Sequence, residues 1–271
     1  MTEEKGKEMS LMPIGSNGLI RVNSSIAITY KLLYADIEHL FNKAFCLLNS
    51  KKIEGCDQNY LLLLETDLNY RKKAKFSWEA KDENDYIQAL SIFLKIISLK
   101  PRHTLSFDMS AICKFKLKDY EGAIEDYTKA IEIDPKYNVA YNNRGKAKTD
   151  LKNYEGAVED YTMAIELDPK YASSYINRGI AKWRLKDYEG AIEDYTKASE
   201  IAPKDAVAYL NRGIAKRDLK NYEGAIEDYT TAIEIDPKYA KAYNARGIAK
   251  KNIGDESGAS IDKLMYEKLT K

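Results

Sequence analysis

Apolar residues recur along much of the chain at the spacing of an α-helix. One stripe, whose members step by three and four residues, consists of Tyr188, Ala191, Ile192, Tyr195 and Ala198. A second stripe precedes it at Tyr175, Gly179 and Ala181. Residues three and four apart lie on one face of a helix, so each stripe predicts an amphipathic helix. Because Gly179 and Ala191 carry little or no side chain, we expect the two helix backbones to approach closely where they cross.

This pair of stripes repeats at a constant interval. Prolines fall at steps of 34 residues, at Pro101, Pro135, Pro169, Pro203 and Pro237. The sequence Tyr-Glu-Gly-Ala keeps the same step and begins at Tyr120, Tyr154, Tyr188 and Tyr222. A proline just past the second helix ends it, because proline supplies no backbone N–H. The sequence therefore predicts an all-α solenoid of antiparallel helix pairs, since about 34 residues is the length of one helix-turn-helix repeat.

The repeat register divides the chain into segments. Apolar residues from Ile26 to Leu47 predict a helix outside the register, and Glu256, Ser260 and Lys263 replace tyrosine, isoleucine and tyrosine of earlier repeats. An array needs polar covers at its ends, so both segments are interpreted as caps. We expect a loose arm over residues 1–22, a helical cap over 23–69, a degenerate repeat over 70–103, four repeats over 104–239, and a degenerate last repeat with a capping helix over 240–271.

The recurring residues resemble those of the tetratricopeptide repeat family. In the best-defined copy the matching positions are Tyr175, Gly179, Ala191, Tyr195, Ala198 and Pro203, and the resemblance covers the chain from about Tyr70 onward. It implies a right-handed superhelical solenoid with helical caps. It also implies a concave groove, lined by the first helix of each repeat, that binds a protein or peptide.

One departure from the family pattern is a column of arginines where the family usually places leucine. These are Arg144, Arg178, Arg212 and Arg246, and the second helices of the same repeats carry Asp160, Asp194, Asp228 and Asp262. The degenerate repeat holds Phe76 and Ile92 at these positions, so an apolar pair replaces a charged pair. We therefore expect the two columns to face each other inside the array, where an unpaired charge is costly. Asp126 lies opposite Ser110, so we expect it to reach Arg144 instead.

Two lysine columns also depart from the family pattern. Lys148, Lys182, Lys216 and Lys250 stand where the family has tyrosine, and we expect their stems to cover apolar surface while the ammonium groups reach water. The turn between the helices, which often holds glycine in the family, has Lys118, Lys152, Lys186 and Lys220, and only the last repeat has Gly254. We expect left-handed backbone at these turn lysines.

Composition and charge narrow the function. The chain has 43 basic and 42 acidic residues, a balance that argues against a protein built to coat nucleic acid or an anionic membrane. No apolar run approaches a membrane span, and Lys31 and Asp36 interrupt the nearest candidate for a signal peptide. The three cysteines, Cys46, Cys56 and Cys113, form no close pair, which favours a reducing compartment. We expect a cytoplasmic protein.

The sequence offers little for catalysis. His39 and Cys46 could share a helix face, but no acid or oxyanion arrangement accompanies them, and His103 is the only other histidine. Cysteines and histidines lack metal-ligand spacing, and no glycine-rich loop follows a strand. The Glu-Asp pair before the tyrosine recurs in four repeats, which indicates a structural or solvated face. We expect no enzyme, no metal and no cofactor.

The candidate partner-binding residues lie on the first helices. An apolar stripe crosses three repeats at Ile180, Ile214 and Ile248, and the residues beside it are Ile176, Trp183, Arg184, Leu210 and Arg217. Contiguous exposed apolar area often marks an interaction site. The alternative is that the first helices are rotated so that these side chains pack between repeats. Asn143, Asn177 and Asn211 form a second column that either binds a ligand backbone or braces a neighbouring loop.

We therefore expect a protein-interaction scaffold that binds an extended or helical peptide. A subclass of the family binds a chaperone tail through lysine, asparagine and arginine, but Ile176, Ile180 and Ala245 occupy those sites here, which disfavours that role. Two other functions stay open. Residues 1–67 could carry a catalytic or regulatory activity with the repeats as its sensor, and the array could self-assemble end to end if its final helix exposes an apolar face. The arm over residues 1–22 could itself cover the groove.

Overall fold

In a computed structural model of the protein, the described residues are 9–14, 18–23 and 83–270. They fall in two compact parts, an N-terminal part within Met1–Asp119 and a C-terminal part within Tyr120–Lys271. All of the helical cap expected over 23–69 except Asn23 lies outside the described residues, as do the first helix of the degenerate repeat and His39, Cys46, Cys56 and Phe76.

The N-terminal part contains a β-hairpin and two helices. Strand β1 (Met9–Ile14) pairs antiparallel with β2 (Gly18–Asn23), and Met12 lies opposite Ile20. This differs from the loose arm expected over residues 1–22. The overlooked signal was Asn17-Gly18, a dipeptide typical of hairpin turns, between two apolar segments. Helices α1 (Glu83–Leu99) and α2 (Thr104–Lys116) follow and pack on each other.

The C-terminal part consists of nine described helices in the expected register. They are α3 (Tyr120–Ile133), α4 (Asn138–Asp150), α5 (Tyr154–Leu167), α6 (Ala172–Arg184), α7 (Tyr188–Ile201), α8 (Ala206–Asp218), α9 (Tyr222–Ile235), α10 (Ala240–Asn252) and α11 (Glu256–Leu269). Each helix packs on the next. The all-α class is confirmed for this part, with the pairs α4–α5, α6–α7, α8–α9 and α10–α11 as its complete repeats.

The first helices of consecutive repeats lie closer to one another than the second helices do. Contacts join α4 to α6, α6 to α8 and α8 to α10, whereas the second helices α5, α7, α9 and α11 approach one another less. In a stack of helix pairs, the helices that come closer together lie on the inner side of the curve. The first helices therefore line the inner side of the C-terminal part.

Tyrosine and glycine set the close crossing within a repeat. A Cβ atom added at Gly179 would lie 2.6 Å from a ring carbon of Tyr195, and Gly145 and Gly213 meet Tyr161 and Tyr229 in the same way. The tyrosine ring therefore occupies the space that any larger residue would need. Alanines fill the remaining core, as at Ala191 and Ala198 within one repeat and Ala208 and Ala215 in the next.

The turn lysines adopt the expected left-handed backbone. Their φ angles are 63° at Lys118, 62° at Lys152, 65° at Lys186 and 62° at Lys220, and Gly254 has φ 84°. At Lys186 the backbone N–H donates to the carbonyl of Trp183, and that of Asp187 donates to Lys182, each at 2.9 Å. This pair of bonds is the Schellman ending of a helix, which explains why each first helix stops there although lysine is not the residue best suited to the turn.

Candidate functional site

Each complete repeat is held by a buried arginine–aspartate pair. Arg178 donates from Nε to Oδ2 of Asp194 at 3.0 Å and from Nη2 to Oδ1 at 2.7 Å. Asp194 is only 3% exposed. The same bidentate pairing joins Arg144 to Asp160, Arg212 to Asp228 and Arg246 to Asp262. The expected charged columns therefore face each other.

The lysine of each first helix completes this network, which corrects the expectation that its ammonium group reaches water. Lys182 Nζ lies 3.0 Å from Asp194 Oδ2 and donates to the carbonyl of Gly190 at 3.3 Å. Lys148, Lys216 and Lys250 reach Asp160, Asp228 and Asp262 in the same manner. The sequence spacing could have predicted this contact. Lys182 is four residues after Arg178 and so lies on the same helix face.

The arginines also connect consecutive repeats. Arg178 Nη1 donates to Oγ1 of Thr162, in the second helix of the preceding repeat, at 3.1 Å. Equivalent bonds run from Arg144, Arg212 and Arg246 to Thr128, Thr196 and Thr230. The sequence had suggested Asp126 as the partner of Arg144. The Arg144 side chain instead donates to Asp160 and Thr128. The threonine column, which always follows the buried tyrosine, was visible in the sequence but was not interpreted.

The electrostatics of the network are those of a structural element. Burial raises the pKa of Asp262, but hydrogen bonds from Arg246 and Lys250 outweigh it, so the pKa is lowered from its ordinary value. The bond to Asp228 raises the pKa of Arg212. Burial also raises the pKa of Tyr161, Tyr195 and Tyr229 well above that of a free tyrosine. Asp262 and Arg212 therefore keep their ordinary charges at neutral pH, as their ion pairs require.

Two candidate binding residues are buried between repeats. Ile176 packs with Ala208 and Ala215 of the next first helix, and Leu210 belongs to a cluster with Ala242 and other residues of α10. This corrects the prediction that Ile176 and Leu210 lie on an open wall. Both point toward the neighbouring repeat, as the alternative interpretation proposed, because the first helices themselves are in contact.

The other apolar candidates keep part of their surface open. Ile180 and Trp183 are partly buried and pack against the cluster around Tyr195, and Ile214 is partly buried and packs against the cluster around Tyr229. Ile248 is 44% exposed. We use the name first-helix face for the surface formed by Ile180, Trp183, Ile214 and Ile248. It includes the polar side chains beside them and the equivalent positions of α4, α6, α8 and α10.

Trp183 is the centre of a polar cluster on the first-helix face. Its Nε1 donates to Oδ2 of Asp218, in the next repeat, at 2.8 Å. Oδ1 of Asp218 accepts from Arg217 Nε at 3.0 Å and Nη2 at 2.8 Å. The guanidinium of Arg184 lies 4.9 Å from the centre of the Trp183 ring, a cation–π distance. Sequence reasoning named Trp183, Arg184 and Arg217 for the groove but gave no role to this bond of Asp218.

The asparagine column divides into bracing and open members. Asn142 Oδ1 accepts from Asn177 Nδ2 at 3.1 Å and from Ser174 Oγ at 3.2 Å, and Asn142 donates to Asn143 at 3.5 Å. Asn143 and Asn177 thus belong to a brace between the first helices α4 and α6. The amide of Asn211 is partly exposed and has no hydrogen-bond partner within the described part of the chain.

The last repeat has a pocket of about 230 Å³ between α10 and α11. It is lined by Asn244, Gly247, Ile248, Lys251, Glu256, Ala259, Ser260 and Lys263. As expected for a capping helix, Glu256, Ser260 and Lys263 are exposed. The same helix also exposes two apolar side chains, Ile261 at 59% and Leu264 at 66%.

Residues 9–14, 18–23 and 83–270 contain neither a metal-ligand cluster nor a membrane-spanning helix. No group of three acidic, histidine or cysteine side chains there is arranged to hold a metal ion. No helix in these ranges is both long and apolar enough to cross a bilayer.

Comparison with known proteins agrees with the geometry. A family model described as "Tetratricopeptide repeat" matches residues 139–171 and 172–205, and one described as "TPR repeat" matches residues 114–151 and 215–254. A search of curated proteins found no match.

Solved structures share the fold. A crystal structure of MamA is 25% identical, has a TM-score of 0.56, and covers 59% of this chain and 94% of that chain. MamA from Desulfovibrio magneticus RS-1 is 20% identical, with a TM-score of 0.58 and coverage of 62% and 94%. YrrB, described as a TPR protein with an unusual peptide-binding site, is 19% identical, with a TM-score of 0.55 and coverage of 65% and 91%. By these matches and this fold, residues 114–205 and 215–254 of the chain are tetratricopeptide repeats.

Proposed function

We propose that this protein is an interaction scaffold whose first-helix face binds an extended or helical segment of a partner protein. The observation that carries the proposal is the apolar stripe of Ile180, Ile214 and Ile248, with Trp183 beside it, which crosses three consecutive repeats and keeps exposed surface. Large partly open aromatic and aliphatic side chains are the usual anchors of protein interfaces.

The contrast between constant and variable positions supports this assignment. The arginine, aspartate and lysine of the buried network are the same in all four complete repeats. Positions on the first-helix face differ, because α4 has Lys146 where α6 has Ile180, and Thr149 where α6 has Trp183. Residues that hold a repeat together need to be constant along the array, whereas residues that contact an asymmetric partner segment need to differ.

The fold has a precedent for such a site. YrrB, an array of the same fold, is described as carrying an unusual peptide-binding site. For the present chain we propose in addition a cytoplasmic location and no nucleic-acid or membrane partner. The balanced charge and the buried thiol of Cys113, which is not in a disulfide, support these proposals.

A capture experiment with the full chain tests the proposal. Ile248→Asp should lose capture of the partner without losing helical signal, because Ile248 is 44% exposed. The matched control is Met163→Asp, since Met163 is an apolar residue 38% exposed on the second helix α5. The informative proteins are those captured by wild type and Met163→Asp and absent with Ile248→Asp. Equal capture by all three proteins would contradict the proposal.

One observation favours a second candidate function, self-association through the last helix. Ile261 and Leu264 lie one turn apart on α11 and are 59% and 66% exposed. If copies associate there, sedimentation velocity should show a concentration-dependent oligomer that Leu264→Glu abolishes. A monomer at all concentrations would exclude this function.

A further inference from the structure

We propose that the partner segment is acidic as well as apolar, and that Arg184 and Lys251 bind its carboxylates on the two sides of Ile214. This inference rests on the proposed function, because it specifies the chemistry of a segment bound to the first-helix face. It follows from how charge is distributed between the two faces of the repeats.

Two exposed cations of the first-helix face lie beside the apolar stripe. Arg184 and Lys251 are exposed, and neither forms an ion pair within the described ranges of the chain. The acids beside them do not neutralise them. Asp218 is already engaged by Trp183 and Arg217, and Asp150 lies at the far end, in α4. Glu256 lines the same pocket as Lys251, but these two described residues form no ion pair. The apolar stripe is therefore flanked by positive charge that is available to a ligand.

The second helices carry the opposite charge. Each exposes two glutamates at the same positions, namely Glu155 and Glu159, Glu189 and Glu193, and Glu223 and Glu227. An acidic segment would be repelled from this outer face and attracted to the first-helix face. Complementary charge of this kind selects a partner and its orientation more than it adds affinity.

The Trp183 cluster places charge and apolar surface side by side. Arg184 lies over the Trp183 ring, so a carboxylate that reaches the guanidinium brings its neighbouring side chain to the ring. Asp218 fixes the ring through Nε1 and at the same time neutralises Arg217. Asp218 is thus a positioning residue whose own charge opposes an acidic ligand.

The test measures binding of three labelled peptides to the full chain by fluorescence anisotropy. All three peptides carry leucine and serine at the same positions. The remaining positions are all glutamate in the first peptide, all glutamine in the second and all lysine in the third. The glutamate peptide should bind tightest and the lysine peptide weakest. Each ion pair should contribute up to about fivefold, the range of exposed pairs, and the difference should shrink at high salt.

Three variants make the assignment specific. Arg184→Gln should reduce the advantage of glutamate over glutamine. The matched control Lys197→Gln, which removes an exposed cation from the outer helix α7, should leave it unchanged. Asp218→Asn should strengthen binding of the glutamate peptide, because the amide oxygen can still accept from Trp183 while Arg217 loses its neutralising partner.

The outcomes separate this inference from the proposed function. If the glutamate and glutamine peptides bind equally and both are lost with Ile248→Asp, the face binds partners but the inference is overturned. If binding of every peptide survives Ile248→Asp, the inference and the proposed function both fail. Absence of binding by all three peptides also overturns the inference, while the capture experiment decides the proposed function independently.

Discussion

The repeat α8–α9 and the last repeat α10–α11 contain the same arginine–aspartate–lysine network. They differ in the other residues of the second helix. Arg212 pairs with Asp228 as Arg246 pairs with Asp262, in each case at distances below 3.2 Å. Their second helices diverge, because Ile226, Tyr229 and Ile233 of α9 correspond to Ser260, Lys263 and Glu267 of α11. The difference shows that the Arg–Asp pair forms without the tyrosine and isoleucines found in the second helix of a central repeat.

The comparison also explains the two environments of the conserved glycine position within the array. In α8, a Cβ atom at Gly213 would lie 2.6 Å from a ring carbon of Tyr229. In α10, a Cβ atom at Gly247 would lie 3.2 Å from Asp262 Cβ and 3.3 Å from the carbonyl of Ala259. The last repeat thus keeps the helix pair without the tyrosine, and it is less tightly packed.

Removing the network aspartate should have the largest effect, and it should be larger in a central repeat. Asp194→Ala strands the buried charges of Arg178 and Lys182 and should lower the free energy of unfolding by about 3 kcal/mol or more. Asp262→Ala should cost less in global unfolding, because the last repeat can unfold separately. Chemical denaturation monitored by circular dichroism measures both.

A double-mutant cycle tests the pairing itself. The double variant Arg178→Leu with Asp194→Ala should recover part of the stability lost in Asp194→Ala. Strict additivity of the two single changes would rule out the pairing.

Adding a methyl group at the crossing glycine should come next. Gly213→Ala forces the Tyr229 ring to move and should destabilise the protein by about 1–3 kcal/mol, the usual range for overpacking. Gly247→Ala should be close to neutral, since small shifts relieve its contacts and alanine favours the helix by about 1 kcal/mol. Thermal unfolding of the two variants compares them directly. Equal losses would mean that the tyrosine does not determine the crossing.

Acid should weaken the last repeat through Asp262. The pKa of this carboxyl is lower in the folded protein than in the unfolded chain, where it is about 3.9. The resulting stability is present above that unfolded value and is lost as the pH falls through the lowered folded value. Unfolding curves of wild type between neutral and acidic pH should therefore show a decline that is shallower in Asp262→Asn. An identical pH dependence in the two proteins would show that this carboxylate does not cause the loss of stability in acid.

The turn residues should give the smallest effects, of opposite sign in the two kinds of repeat. Lys186→Gly removes the penalty of a Cβ atom in left-handed backbone and should stabilise the protein by at most about 1 kcal/mol. Gly254→Ala should destabilise the last repeat by a similar amount, because its φ is 84°. Differential scanning calorimetry checks the direction of each shift. A loss of stability in Lys186→Gly would mean that the flexibility glycine adds to the unfolded chain outweighs the strain.

The sequence predicted the framework well because each framework residue recurs with its partner. Arg178 and Asp194 could be paired since four repeats carry both and a degenerate copy replaces both. The left-handed turn at Lys186 followed from the position alone. The lysine of the network was misjudged, because a long side chain can reach either water or a carboxylate and the spacing to Arg178 was not used.

The first-helix face was harder to predict, because its residues differ from one repeat to the next. Helix rotation decides whether Ile176 is buried while Ile180 stays partly open, and residues four apart on one helix cannot fix that angle alone. The bond between Trp183 and Asp218 joins residues on different helices that no repeated column connects. The hairpin at Met9–Ile14 was missed because repeat reasoning does not apply outside the array.

Site-specific crosslinking tests the assignment of partner binding to the first-helix face most directly. A photoreactive residue would replace Ile248 on α10 in one full-length protein and Met163 on α5 in another, and each would be irradiated in an extract of its native source. We expect one partner protein to crosslink from position 248, with no corresponding product from position 163. Crosslinking of the same partner from position 163 and not from position 248 would contradict the account.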